Sequence, residues 1–124
     1  MKGIDEKSIK RATKAMKCLP FNLEFYKSIQ ISGLNALNVF QMQDQFTTKK
    51  SSIFKSSDQI ENDFCWLIVL GVLRREVDGQ GLTSRVRLTP LGRYIIERTP
   101  SFLMGKTTLI EKIRNSVFRK MTFQ

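Results

Sequence analysis

The stretch that decides the fold is DQIENDFCWLIVLGVLRREVDGQGLTSRVRLTPLGRYII, residues 58–96. It predicts a helix that stops at Gly71, a strand, a tight turn at residues 78–81 and a second strand. Thr89-Pro90 then opens another helix, as a cap followed by a first-turn proline. Few folds lead a helix directly into a glycine-tipped basic hairpin and pack a further helix behind it.

The residues before this stretch read as helical. Residues 5–18 place apolar side chains at helical spacing with lysines on the other side, which predicts an amphipathic helix. A second helical region follows over 21–45, interrupted at Ser32-Gly33. Thr47 or Thr48 is predicted to cap a short helix, TKKSSIFK, just before the helix at 58–70. A last amphipathic helix is predicted after Pro100.

Part of the chain resembles a known superfamily. FCWLIVLGVLRREVDGQGLTSRVRLTPLGRYIIE, residues 64–97, is similar to the recognition helix, wing and following helix of winged helix-turn-helix proteins, where LGxLxR precedes the wing and LTxxG follows it. Bacterial regulators of the multiple-antibiotic-resistance and phenolic-acid types share this pattern. So does the N-terminal dimerisation domain of small-molecule O-methyltransferases, which binds no DNA. The resemblance therefore supports the fold more strongly than the function.

The fold class expected from these signals is mainly α with a small β-hairpin wing. We expect one winged helix-turn-helix domain over residues 1–124, made of an N-terminal helical extension (1–33), a winged core (34–98) and a C-terminal helix (99–124). Many regulators of this shape dimerise through such extra helices, so a homodimer is expected.

Composition narrows the function. The chain has 124 residues, 21 Lys and Arg against 11 Asp and Glu, and a net charge of +10, which would attract a polyanion. It has no histidine, and Cys18 and Cys65 follow no metal-ligand spacing. We therefore expect no cofactor, no metal and no enzymatic activity. No apolar run reaches membrane-span length, which predicts a cytoplasmic protein without a membrane partner.

The predicted partner is double-stranded DNA, and the protein is interpreted as a transcriptional regulator. Arg85 and Arg87 occupy alternate positions of one strand, so they point the same way. Lysines before the recognition helix are placed to grip phosphates, and the resemblance puts Gln59, Asn62 and Asp63 on the outward side of that helix. The candidate DNA-binding residues are Arg74, Arg75, Arg85, Arg87, Lys49, Lys50, Lys55, Gln59 and Asn62.

Two features favour a different role. Residues 57–73 contain three acids, Asp58, Glu61 and Asp63, and no cation. Trp66 lies off the stripe of core residues on its helix, so either a terminal helix buries it, or it forms a subunit contact or lines a ligand pocket. The alternative function is a winged-helix protein-interaction module that does not bind DNA. The candidate interface residues are Trp66, Ile110, Ile113 and Val117.

Overall fold

The computed structural model of the chain describes residues 5–48 and 54–98. Most of these residues are helical, and a two-stranded antiparallel sheet completes the described fold. This confirms the predicted fold class, mainly α with a small β-hairpin. The elements are α1 (Glu6–Cys18), α2 (Leu23–Ile31), α3 (Ala36–Gln41), α4 (Gln43–Phe46), α5 (Ser57–Val69), β1 (Leu73–Asp78), β2 (Gly81–Leu88) and α6 (Pro90–Arg98).

Side-chain caps begin the first three helices. The carboxylate of Asp5 accepts a hydrogen bond from the Ser8 backbone N–H at 2.7 Å, and Asn22 and Asn35 cap α2 and α3 in the same way. Such caps satisfy N–H groups that have no partner within the helix. α2 ends at Ile31 and α3 begins at Ala36, which confirms the interruption predicted at Ser32-Gly33.

The prediction of a short helix over TKKSSIFK is partly wrong. Thr47 ends a helix rather than beginning one, because its hydroxyl donates to the Gln43 carbonyl at 2.6 Å and its backbone forms a bridge with Phe21. Phe54 to Ser56 are not helical, and residues 49–53 lie outside the described residues. In the described chain α3 and α4 therefore precede α5, and α3 packs against it.

The core is built around phenylalanines from distant parts of the sequence. The ring centroids of Phe21 and Phe25 are 4.7 Å apart, those of Phe25 and Phe64 are 5.8 Å apart, and Phe54 stacks on Phe21. All four side chains are buried. Since burying one such ring contributes roughly 1.5–3 kcal/mol, this stack fixes α2 against α5.

The hairpin is joined to the helices on its β2 side. Leu34 and Val86 form an antiparallel bridge, with the Val86 N–H donating to the Leu34 carbonyl at 2.9 Å. β1 and β2 pair Arg74 with Arg87 and Arg75 with Val86, and an irregularity follows after Arg75. The connection from α5 into β1 passes through Gly71, whose φ of 84° suits glycine.

The LTPLG sequence of residues 88–92 locks α6 onto the start of the hairpin. The Thr89 hydroxyl donates to the Val72 carbonyl at 2.9 Å and accepts from the Gly92 N–H at 3.1 Å. A Cβ placed on Gly92 would lie 2.5 Å from the Leu88 Cδ1 atom and 2.8 Å from the Val72 carbonyl oxygen. Only glycine therefore lets α6 approach this closely. None of the helices in the described ranges is long and apolar enough to cross a membrane.

Candidate nucleic-acid interface

The first two turns of α5 expose polar side chains. Asp58, Gln59 and Asn62 are exposed, and the buried side of the helix holds Ile60, Phe64 and Leu67. The Gln59 side-chain oxygen accepts from the Lys55 N–H at 2.7 Å, so its amide nitrogen remains able to donate outward. Lys55 is exposed as well. This surface carries two amides of the kind that read base edges.

The three acids of α5 lie in different environments. Both carboxylate oxygens of Glu61 accept from the guanidinium of Arg75. Asp63, predicted on the outward side, is instead buried, with 9% of its surface exposed. Of the three, Asp58 is the exposed one, in the first turn, where a carboxylate complements the helix dipole. The outward face is therefore much less acidic than the sequence suggests.

Arg75 connects the wing to α5. Besides binding Glu61, its guanidinium donates to the Ser84 carbonyl at 2.8 Å and lies 3.9 Å from the Cys65 sulfur. Since 20% of its side chain is exposed, against 38% for Glu61, the pair is partly shielded from water. Arg75 was predicted to contact DNA, but in the structure its guanidinium is paired with Glu61 of α5 in the same chain.

Arg85 and Arg87 point the same way, as predicted, and they share one partner. The Glu76 carboxylate pairs with the Arg85 Nε and, at 3.1 Å, with the Arg87 Nη1. The pKa of Glu76 lies below its usual value. The hydrogen bond from Arg85 is the largest cause, and the hydrogen bond from Arg87 is the next. Much of the positive charge on this side of the wing is therefore compensated internally.

Arg87 also ties β2 to the end of α2. Its Nε and Nη2 groups donate to the carbonyls of Ile29 and Gln30, both at 2.8 Å. These are among the last carbonyls of α2, which have no partner within the helix and which cations stabilise. Because of these two hydrogen bonds and the ion pair with Glu76, Arg87 has a structural role. Only 25% of its side chain is exposed.

Arg74 differs from the other three wing arginines. It lies opposite Arg87 across the hairpin and is exposed, and its recorded contact is a 3.5 Å hydrogen bond to the neighbouring Arg75 carbonyl. Arg85 is intermediate, since 42% of its side chain is exposed despite the bond to Glu76. The cations that the described wing presents outward are therefore Arg74 and, in part, Arg85.

The structure describes only some of the remaining candidate residues. Trp66 is fully buried, so the prediction that it forms a subunit contact is wrong for this fold, and α1 and α3 both pack against its helix. Lys49, Lys50, Ile110, Ile113 and Val117 lie outside the described residues. Sequence reasoning missed Glu76 as the organiser of the wing. The signal was its position on the strand that pairs with the one holding Arg85 and Arg87.

Replacing Glu76 by Gln tests this organisation through pH. The folded-state pKa of Glu76 lies below its ordinary value of 4.5, so its stabilisation is fully present above that value and is lost as pH falls through the folded pKa. Urea unfolding should show Glu76→Gln less stable than wild type at pH 7, with the difference shrinking toward pH 3. The exposed Glu97→Gln is the control. A difference that stays constant from pH 7 to pH 3 would contradict the assigned ion pairs.

Comparison with known proteins places nearly the whole chain in one group. The model of a protein family described as Npun_F0494-like, a family of unknown function, matches residues 3–119. No curated protein and no solved structure matches the chain.

Proposed function

We propose that this chain, which belongs to the Npun_F0494-like family, is a winged helix-turn-helix protein that binds duplex DNA. In this proposal α5 is the recognition helix and the hairpin of β1 and β2 is the wing. The order of the elements supports it. α3 packs against α5, the hairpin follows α5 directly, and Leu34 bridges to β2 as a short third strand would.

The observation that carries the proposal is the exposed polar surface at the N-terminal part of α5. Gln59 and Asn62 are exposed there, Glu61 is neutralised by Arg75, and Asp63 is turned inward. Amide side chains at such positions bind adenine through its N6 and N7 atoms. The face is thus chemically suited to a major groove, which is wide enough to admit an α-helix.

The wing residues divide into two roles under this proposal. Arg75 and Arg87 hold the hairpin against α5 and α2 and so fix where the wing lies. Arg74, with Lys55 just before α5 and in part Arg85, is left to neutralise phosphates. Phosphate contacts set affinity and register and carry no sequence information, whereas Gln59 and Asn62 would supply sequence preference.

Fluorescence-anisotropy titration of a labelled random duplex tests the proposal. The salt concentration is varied from about 0.05 to about 0.3 M, because affinity that depends on phosphate contacts changes measurably over this range. The double variant Arg74→Gln/Lys55→Gln removes two exposed cations from the proposed surface. Each lost phosphate contact lowers the slope of log affinity against log salt by about 0.9, so two should weaken binding roughly 60-fold at about 0.1 M salt.

Lys27→Gln/Arg93→Gln is the matched control, because it removes the same charge from two exposed positions on α2 and α6. It should leave the salt slope close to that of wild type. Absence of wild-type binding at low salt would overturn the proposed function. Equal losses in the two variants would show that only net charge matters and that this face is not the binding surface.

A second candidate, a protein-interaction module, is favoured by the tip of the wing. Val77 and Leu82 face each other across the hairpin and are 62% and 76% exposed. Residues 77–84 contain no Lys or Arg, so the tip suits an apolar protein surface better than phosphates. If the chain forms the expected homodimer here, Val77→Ser/Leu82→Ser should dissociate it in sedimentation velocity. Unchanged self-association would remove the tip from that role.

A further inference from the structure

The positive charge of the described residues is concentrated on α1. Residues 5–18 contain five Lys or Arg and two Asp or Glu, whereas the other described residues contain eight of each. The net positive charge of the described chain therefore comes from this one helix. The wing, where sequence reasoning placed the basic surface, pairs most of its arginines with acids.

The cations of α1 form a stripe opposite its buried side. Lys7, Lys10 and Lys14 follow one another at intervals of three and four residues and are all exposed, so they share one side of the helix. The opposite side holds the fully buried Ala12 and Met16. Within the described residues, Lys10 and Lys14 form no ion pair, in contrast to Arg75, Arg85 and Arg87 of the wing.

The acids of α1 are confined to its N-terminal end. Asp5 and Glu6 lie at the first turn, where carboxylates complement the helix dipole, and the hydrogen bond from the Ser8 N–H lowers the pKa of Asp5. The rest of the helix contains no acid. Glu6 lies one turn before Lys10, and no carboxylate lies between Lys10 and Lys14.

The same helix offers nothing apolar to a bilayer. Its exposed residues are Glu6, Lys7, Ser8, Lys10, Arg11 and Lys14, all of them polar. Membrane-surface helices bind by burying an apolar face among the lipids. Here that face is already used against the core, since α1 packs on α5 and α6. The chemistry that remains is attraction to a polyanion with repeated charges.

We propose that the lysine stripe of α1 binds the phosphate backbone of the duplex whose groove α5 enters. The proposal rests on the proposed function and adds a second surface to it. Lys7 to Lys14 spans about 10 Å at 1.5 Å per residue, a length over which a duplex presents several phosphates. Lysine suits this task, because its flexible ammonium needs no fixed geometry.

The test is the same salt-dependent titration on Lys10→Gln/Lys14→Gln. Glutamine and lysine have similar helix propensity, so α1 should persist, which circular dichroism checks. The salt slope should fall by about 1.8 and binding should weaken roughly 60-fold at about 0.1 M salt. The control Lys27→Gln/Arg93→Gln, with the same loss of charge, should bind like wild type.

Each failure is distinguishable. Wild type that binds no duplex overturns the proposed function and this inference together. Wild type that binds while Lys10→Gln/Lys14→Gln keeps the full slope overturns the inference alone. Binding to vesicles of phosphatidylcholine and phosphatidylserine is also measured, by cosedimentation of the protein with the vesicles. Tight vesicle binding that requires Lys10 and Lys14, with no effect of these lysines on DNA, would assign the stripe to a membrane and overturn the proposal.

Discussion

Replacing Trp66 by Ala should lower the free energy of unfolding by about 3–5 kcal/mol, the range for removing a large buried aromatic side chain. Trp66 is fully buried and is the largest side chain of the core. Its loss would leave a cavity beside the C-terminal half of α5. Urea unfolding followed by circular dichroism measures the change, since signal from the tryptophan itself is lost in the variant.

Trp66→Phe serves as the control, because it keeps an aromatic ring and should cost less than Trp66→Ala. If Trp66 formed a subunit contact instead, Trp66→Ala would leave monomer stability unchanged. Its effect would then appear as a shift in self-association that depends on protein concentration. That result would contradict the burial of this residue.

Replacing Gly92 by Val should destabilise the fold by about 3 kcal/mol, at the upper end of ordinary overpacking. The Cβ atom would lie 2.8 Å from the Val72 carbonyl oxygen, a backbone atom, and 2.5 Å from the Leu88 side chain. The backbone cannot move away without disturbing the hydrogen bonds of Thr89, which join α6 to the start of β1. Thermal and urea unfolding measure the effect.

Gly79→Ala is the matched control, since a Cβ there would meet nothing within 4 Å. It should change stability far less than Gly92→Val. If the two variants had similar stabilities, α6 would not pack as closely on the hairpin as the structure shows. The LTxxG pattern would then need another explanation.

Local signals explain why the order of elements from α5 to α6 could be predicted. Gly71 ends α5, the turn around Gly79 defines the hairpin, and Thr89-Pro90 starts α6. Each is a short-range preference of the backbone, which acts whatever the rest of the chain does. Thr47 shows the limit. Its hydroxyl can cap the start of a helix or bond back to a carbonyl at the end of one, and only tertiary structure decides.

The candidate site was harder to predict, because it depends on which side chains of the chain pair or pack with each other. Strand alternation predicted that Arg85 and Arg87 share a side, but not that Glu76 binds both. Helical spacing placed Trp66 off the core stripe, yet the packing of other helices around α5 buries it. Ion pairs and burial between distant segments depend on tertiary contacts, and one sequence does not reveal them.

Backbone amide chemical shifts of the isotopically labelled chain, recorded as a duplex is added, test the central claim most directly. Binding through α5 and the wing should perturb residues around Gln59, Asn62 and Arg74, with a second cluster around Lys10 and Lys14 on α1. The buried residues of the phenylalanine stack should change little. Perturbations confined to other surfaces, or none at low salt, would contradict DNA recognition by α5.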